Sequence, residues 1–244
     1  MLLDRRQWLA GALAAAAATT AHSKAVPGES TAAAAIASLT PTAGPIPVAV
    51  LIDEHAVLID FAGPWEVLQD QGAAPGFELY TVATAITPVT ASGGLKIAPD
   101  YTYETAPAPK VVVIGAQAST DLSAKLSWIR SVAPSADVVM SVCTGAFILA
   151  QTNLLDGLSA TTHHNAYDRF EAQFGARIRL IRNRRFVDNG KFITAGGLTS
   201  GIDAGLHLVA RYFGMTAARQ CAARMEHDSS GWFSGVQTNS GGGV

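Results

Sequence analysis

The segment DVVMSVCTGAFILAQTNLL, residues 137–155, changes its structural period within three residues. Val138, Val139, Met140 and Val142 make a continuous apolar run, the pattern of a strand covered on both faces. From Thr144 onward, Ala146, Phe147, Ile148 and Leu149 suit a buried helix. Between the two sits Cys143, followed by Thr144 and Gly145. A buried strand that turns directly into a helix marks the corner of an open α/β sheet, where ligand sites lie at the carboxyl ends of strands. A helix starting there aims its free N–H groups at the thiol, which predicts a lowered thiol pKa.

Working outward, IPVAVLI (46–52), FELYTVAT (77–84) and VVVIG (111–115) read as strands. A helix is expected over 61–71. Another spans STDLSAKLSWIRSVA, with Leu122, Leu126 and Ile129 as its apolar face. LSATT (158–162) predicts a short strand and NAYDRFEAQFG a helix that stops at Gly175. The stretch 176–197 alternates apolar and polar residues around a DNG turn. Ser200 and Gly214 bracket a capped helix, and a further helix is expected from about Thr216 to Glu226. Strands alternating with helices predict an α/β three-layer sandwich around a mainly parallel sheet, flavodoxin-like in layout.

The chain has 244 residues, 49% hydrophobic and 15% charged, which supports a large core. Its net charge of −2 and lack of a basic stripe argue against nucleic acid as a partner. The densest basic run, RNRR at 182–185, reads as a solvated strand end. Residues 1–25 place Arg5-Arg6 before an Ala-rich apolar run and then small residues, the order of a twin-arginine-like export signal. A periplasmic or secreted location follows as an expectation. Residues 26–45 read as a linker, 46–228 as the folded domain and 229–244 as a flexible tail. The stretch after Glu226 is too short for a helix-turn-helix. Cys143 and Cys221 form no disulfide framework, and Cys221 reads as packing. His55, His163, His164, His207 and His227 show no metal-ligand spacing, and no nucleotide fingerprint occurs, so neither metal nor cofactor is expected.

Spacing alone leaves Cys143 open as core packing or as a nucleophile, Asp60 as a helix N-cap or an acid, and Thr144 as a first-turn residue. Glu66 reads as a solvated helix position. SVCTGAFILAQTNLLDGLSATTH resembles the ThiJ/PfpI superfamily, also called class I glutamine amidotransferase-like. VLIDFAGPWEVL (57–68) and FITAGGLTSGIDAGLHLVARYFG (192–214) are similar to two further segments of the branch that holds isocyanide hydratase and AraC-type sensor domains. The resemblance implies Cys143 as nucleophile, Asp60 as its acidic partner and Thr144 as a pocket residue beside the sulfur. It implies substrate contacts at Gly115, Ala116 and His163, with His164 standing where the branch has Trp. Peptidase-like members carry His after the Cys, so Thr144 speaks against proteolysis. Gly115-Ala116-Gln117 replaces the branch's Pro-Gly-Gly, which reshapes that corner and makes Gln117 a candidate pocket donor. The implied activity is hydration of an isocyanide to an N-formamide by a homodimer acting on a small molecule. The alternative is a ligand-binding or stress-related module without turnover, and glyoxalase-like hydration is a third option that the missing His disfavours.

Overall fold

The structure, a computed structural model, describes residues 38–41, 43–70, 72–233 and 236–237. The export-like signal and most of the linker lie outside the described residues. Strands β1 (Ile46–Leu51) and β2 (Phe77–Ala83) flank helix α1 (Leu58–Gln69). A short antiparallel pair follows, β3 (Val89–Thr90) with β4 (Lys96–Ile97), and then an edge strand, β5 (Tyr101–Thr102). Next come β6 (Val111–Ile114), α2 (Leu122–Val132), β7 (Val138–Val142) and α3 (Gly145–Gln151). After these are β8 (Ser159–Ala160), α4 (Tyr167–Phe174), β9 (Arg179–Leu180), β10 (Phe186–Asp188) and β11 (Phe192–Ala195). The long helix α5 (Ser200–Arg224) and strand β12 (Val236–Gln237) complete the described elements.

The main sheet has the order β12-β10-β11-β7-β6-β1-β2-β5. All its pairings are parallel except β10 with β11. Alternate residues of the central strands enter two separate cores. Val48, Val50, Val111, Val113, Val138 and Met140 face the side that carries α5, while Ala49, Leu51, Val112, Ile114 and Val139 face the side with α2, α3 and α4. Both faces are covered, which is why these strands read as unbroken apolar runs. This is the flavodoxin-like sandwich expected from the pattern. β1 leads through α1 to β2 on one side of the sheet; β6 leads through α2 to β7 on the other. The switch point therefore lies at the carboxyl ends of β1 and β6.

Several local expectations are corrected. α2 does not bury Leu122, which is exposed; Lys125, Trp128 and Ile129 are the buried residues of that helix. Lys125 is 0% exposed because its ammonium finds three acceptors: Asp53 Oδ2 at 3.0 Å, the Ala118 carbonyl at 3.1 Å and Ser119 Oγ at 3.1 Å. Burial pushes the Asp53 carboxyl up, but N–H groups of Thr120 and Glu54 together with Lys125 more than offset this and hold it below its ordinary value. Ser200 is the first helical residue of α5 and not its cap, whereas the expected break at Gly214 is present, its backbone at φ +85° being non-helical and dividing α5 in two. Segment 158–162 supplies only the two residues of β8, which pair with β9 outside the main sheet.

The expected tail packs in part. Trp232 is buried, and β12 extends the sheet beside β10. Within the expected linker, the Leu39 N–H donates to the Arg211 carbonyl at 2.7 Å. Among the described residues no helix is long and apolar enough to cross a membrane.

Removing one partner of a buried ion pair leaves the other charge uncompensated. Lys125→Met is therefore expected to lower unfolding free energy by about 3–5 kcal/mol, read from urea denaturation midpoints.

Candidate active site

Four chain segments meet at the switch point, each leaving the carboxyl end of a parallel strand. The segment after β1 brings Asp60, the third residue of α1. The one after β6 brings Gly115 and Ala116, the one after β7 brings Cys143, and the one after β11 brings Leu198. Cys143 has φ +59°, a left-handed conformation that costs an L-residue about 1–2 kcal/mol. The corner is held on both sides. The Cys143 N–H donates to the carbonyls of Gly196 at 2.7 Å and Ala195 at 3.2 Å, and its own carbonyl accepts the Thr162 hydroxyl at 2.8 Å. At Gly145, a Cβ would collide with the backbone carbonyls of Ile114 and Gly115, so only glycine lets α3 start this close to β6.

Asp60 is fully buried. It is not the cap of α1, a position that Val57 occupies. Its Oδ2 accepts the Ala116 N–H at 3.0 Å. The carboxyl group also meets the Cys143 thiol and the Leu198 N–H, while Oδ1 has no fully formed hydrogen bond among the described residues. Burial pushes the Asp60 carboxyl above its ordinary value, and these donors only partly oppose the shift. The Cys143 thiol is pushed up to about 11, first by burial and then by the Asp60 carboxylate. N–H groups of Thr144 and Leu198 pull the other way without prevailing. The expected lowering of the thiol pKa is thus corrected. The helix behind the sulfur has only seven residues, and its amides are outweighed by desolvation and by a neighbouring negative charge. A thiol thus lies beside the Asp60 carboxyl group, with the backbone donors already in place for a charge on sulfur.

Thr144 approaches the sulfur through its backbone N–H and occupies the N-cap of α3 without a side-chain cap bond. Gly115 and Ala116 act on the acid. A Cβ on Gly115 would stand 3.1 Å from Asp60 Cβ, and Ala116 spends its N–H on Asp60 and its carbonyl on Val57. Gln117 is not an exposed loop residue, because both its amide atoms are buried and without partner among the described residues. Glu66 is exposed and bonds Gln69, as its solvated reading anticipates. Cys221 is buried away from the corner, its thiol against the Val67 carbonyl.

A cleft of about 420 Å³ opens beside this corner. His163, His164, Tyr167, Arg184, Arg185 and residues 196–200 line it. Cys143, 7% exposed, borders it through its bonds to Thr162 and Gly196 and through Leu198. The His163 ring lies against Gly197, where any Cβ would collide with it. Its Nδ1 accepts the Asn165 N–H at 3.2 Å, which leaves Nε2 as the protonated nitrogen of the neutral ring. Burial, then the neighbouring His164, hold its pKa down. Leu198 and Thr162 escaped the sequence reading. Leu198 sits at φ +52°, a conformation for which leucine gives no propensity signal.

The sequence matches the profile of the DJ-1/PfpI family over residues 47–211. The chain belongs to the DJ-1/PfpI family. It is 34% identical over 173 residues to an isonitrile hydratase of Pseudomonas putida, covering 69% of this chain and 73% of that protein. It is 29% identical over 177 residues to the HTH-type transcriptional regulator GbdR of Pseudomonas aeruginosa, covering 70% of this chain but only 47% of the regulator. Among solved structures, a ThiJ/PfpI family protein from Pseudomonas syringae superposes with a TM-score of 0.65 at 29% identity, covering 91% of this chain and 87% of that one. Drosophila melanogaster DJ-1beta, at 16% identity and a TM-score of 0.64, shares the fold, with 76% of this chain and 100% of that chain covered.

The electrostatics of this corner are testable without substrate. In a Cys221→Ala background, alkylation of Cys143 by iodoacetamide is expected to titrate well above a free model thiol, near pH 11. Asp60→Asn removes the adjacent negative charge and should move that midpoint down by about one unit or more.

Proposed function

We propose that the protein is a cysteine-dependent hydratase that converts an isocyanide to an N-formamide. Asp60 takes the Cys143 proton as sulfur bonds to the terminal carbon of R–N≡C, and that proton is then delivered to the carbon. The product is a thioimidate, Cys143–S–CH=N–R. Water adds across the C=N bond, its oxygen to carbon and a proton to nitrogen. The tetrahedral adduct expels the thiolate, the hydroxyl proton returns to sulfur through Asp60, and R–NH–CHO leaves. The Asp60–Cys143 contact carries this reading. A carboxyl and a thiol whose charges each disfavour the other's can pass one proton between them during both half-reactions. Leu198 and Thr144 N–H groups, directed at the sulfur, favour the transient thiolate. Likeness to the Pseudomonas putida isonitrile hydratase supports the substrate class.

Export by a twin-arginine-like signal, a periplasmic or secreted location and a homodimer belong to the same proposal, on the strength of residues 1–25 and family analogy. The match to a transcriptional regulator favours a second reading, in which the same corner binds a metabolite without turnover. Turnover separates the two. Cys143→Ala is expected to abolish formamide production from cyclohexyl isocyanide, and Asp60→Asn to lower kcat by about 10²–10⁴-fold. Wild-type protein that binds the isocyanide without forming product would establish the second reading instead.

A further inference from the structure

We infer that the substrate carries a carboxylate, held by Arg184 and Arg185 in the cleft beside Cys143; this rests on the hydratase reading and narrows its substrate class. The cleft lining contains two arginines and two histidines but no aspartate or glutamate. That is notable in a chain whose net charge is −2. Three arginines of the 182–185 run are used differently. Arg182 pairs through Nη2 with Asp168 at 2.9 Å and Glu171 at 2.8 Å. Arg185 has Nε on the buried Asp203 and Nη2 on Thr199 Oγ1 at 3.3 Å. Arg184 makes no ion pair or side-chain hydrogen bond among the described residues. Its guanidinium, with five donors in a planar fork, fits a carboxylate.

The segment bearing Arg184 is held in place. The Asn183 N–H donates to the Tyr167 hydroxyl at 2.8 Å, and Arg182 ties the same segment to α4. The lining adds a neutral donor. His163 accepts the Asn165 N–H at Nδ1, which leaves Nε2–H, packed beside Gly197 in the same lining, as the donor nitrogen of the neutral ring. Leu198 both lines the cleft and turns its N–H to the sulfur, so one residue links the cationic end to the nucleophile. A short isocyano acid spans these two features: its isocyano carbon at Cys143, its methylene against Leu198 and its carboxylate on the arginines. The carboxylate is unchanged in the reaction, so the product is an N-formyl amino acid.

The test compares isocyanoacetate with its methyl ester, using the full chain as wild type and Arg184→Gln. Binding of N-formylglycine is measured by calorimetry alongside. Wild type should show a higher kcat/KM for the anion, and Arg184→Gln should cut the anion-to-ester preference and N-formylglycine affinity about ten-fold each. Ester turnover equal to or faster than that of the anion, with N-formylglycine binding insensitive to Arg184→Gln, overturns the carboxylate assignment and leaves the hydratase reading standing. Arg184-dependent binding of N-formylglycine without hydration of either isocyanide upholds the carboxylate site and removes the hydratase reading.

Discussion

A cysteine forced into a left-handed backbone conformation, pinned from both sides, is the constraint on which the site depends. Two carbonyls of the neighbouring strand end hold its N–H, and a threonine hydroxyl holds its carbonyl. Gly145 lets the following helix begin against the carbonyls of β6. Were the chain to relax at residue 143, the sulfur would leave the switch point and lose both the carboxyl and the amides that meet there. The strain of about 1–2 kcal/mol is small beside the packing of two apolar faces on β7, which is why the fold can sustain it.

The second consequence is electrical. A carboxyl and a thiol share a dry corner, and the contacts that set their titration include no arginine or lysine. Burial raises both pKa values, and the carboxylate raises the thiol's further while the thiol's hydrogen bond partly lowers the carboxyl's, so the proposed chemistry works by moving a proton and not from a standing thiolate. Backbone amides of Thr144 and Leu198 supply fixed dipoles whose value rises only when sulfur becomes negative. This division suits a reaction in which the nucleophile must be regenerated as a good leaving group after water has added.

Much of this was readable in the chain. The unbroken Val-rich runs disclosed strands covered on both faces, and the strand-to-helix change at Cys143 located the corner. Family-like segments pointed to Asp60, which spacing alone could not separate from a helix cap. What escaped has identifiable reasons. Leu198 adopts a conformation that its residue type does not advertise, so its role is visible only in three dimensions. Lys125 lies outside the apolar face read from Leu122, Leu126 and Ile129, and no local pattern reveals its carboxylate 72 residues away. The direction of the thiol shift was misjudged because helix amides are apparent from sequence order, whereas the depth of burial is not. RNRR is the solvated strand end it read as, exposed at 182–184 before β10; that two of its arginines also line the cleft is visible only in three dimensions.

Asp203 ties this wall to a distant part of the chain. Fully buried near the start of α5, it receives Arg185 from the cleft, His227 at 2.8 Å and Ser229 at 3.3 Å. One carboxylate therefore fastens residues 227–229 to the rim that presents the arginines. Mechanical load on the segment beyond α5, such as a fusion partner attached close behind it, is transmitted to a guanidinium at the mouth of the site. Protein engineers working with this scaffold inherit a segment at 227–229 that is in effect part of the pocket's frame.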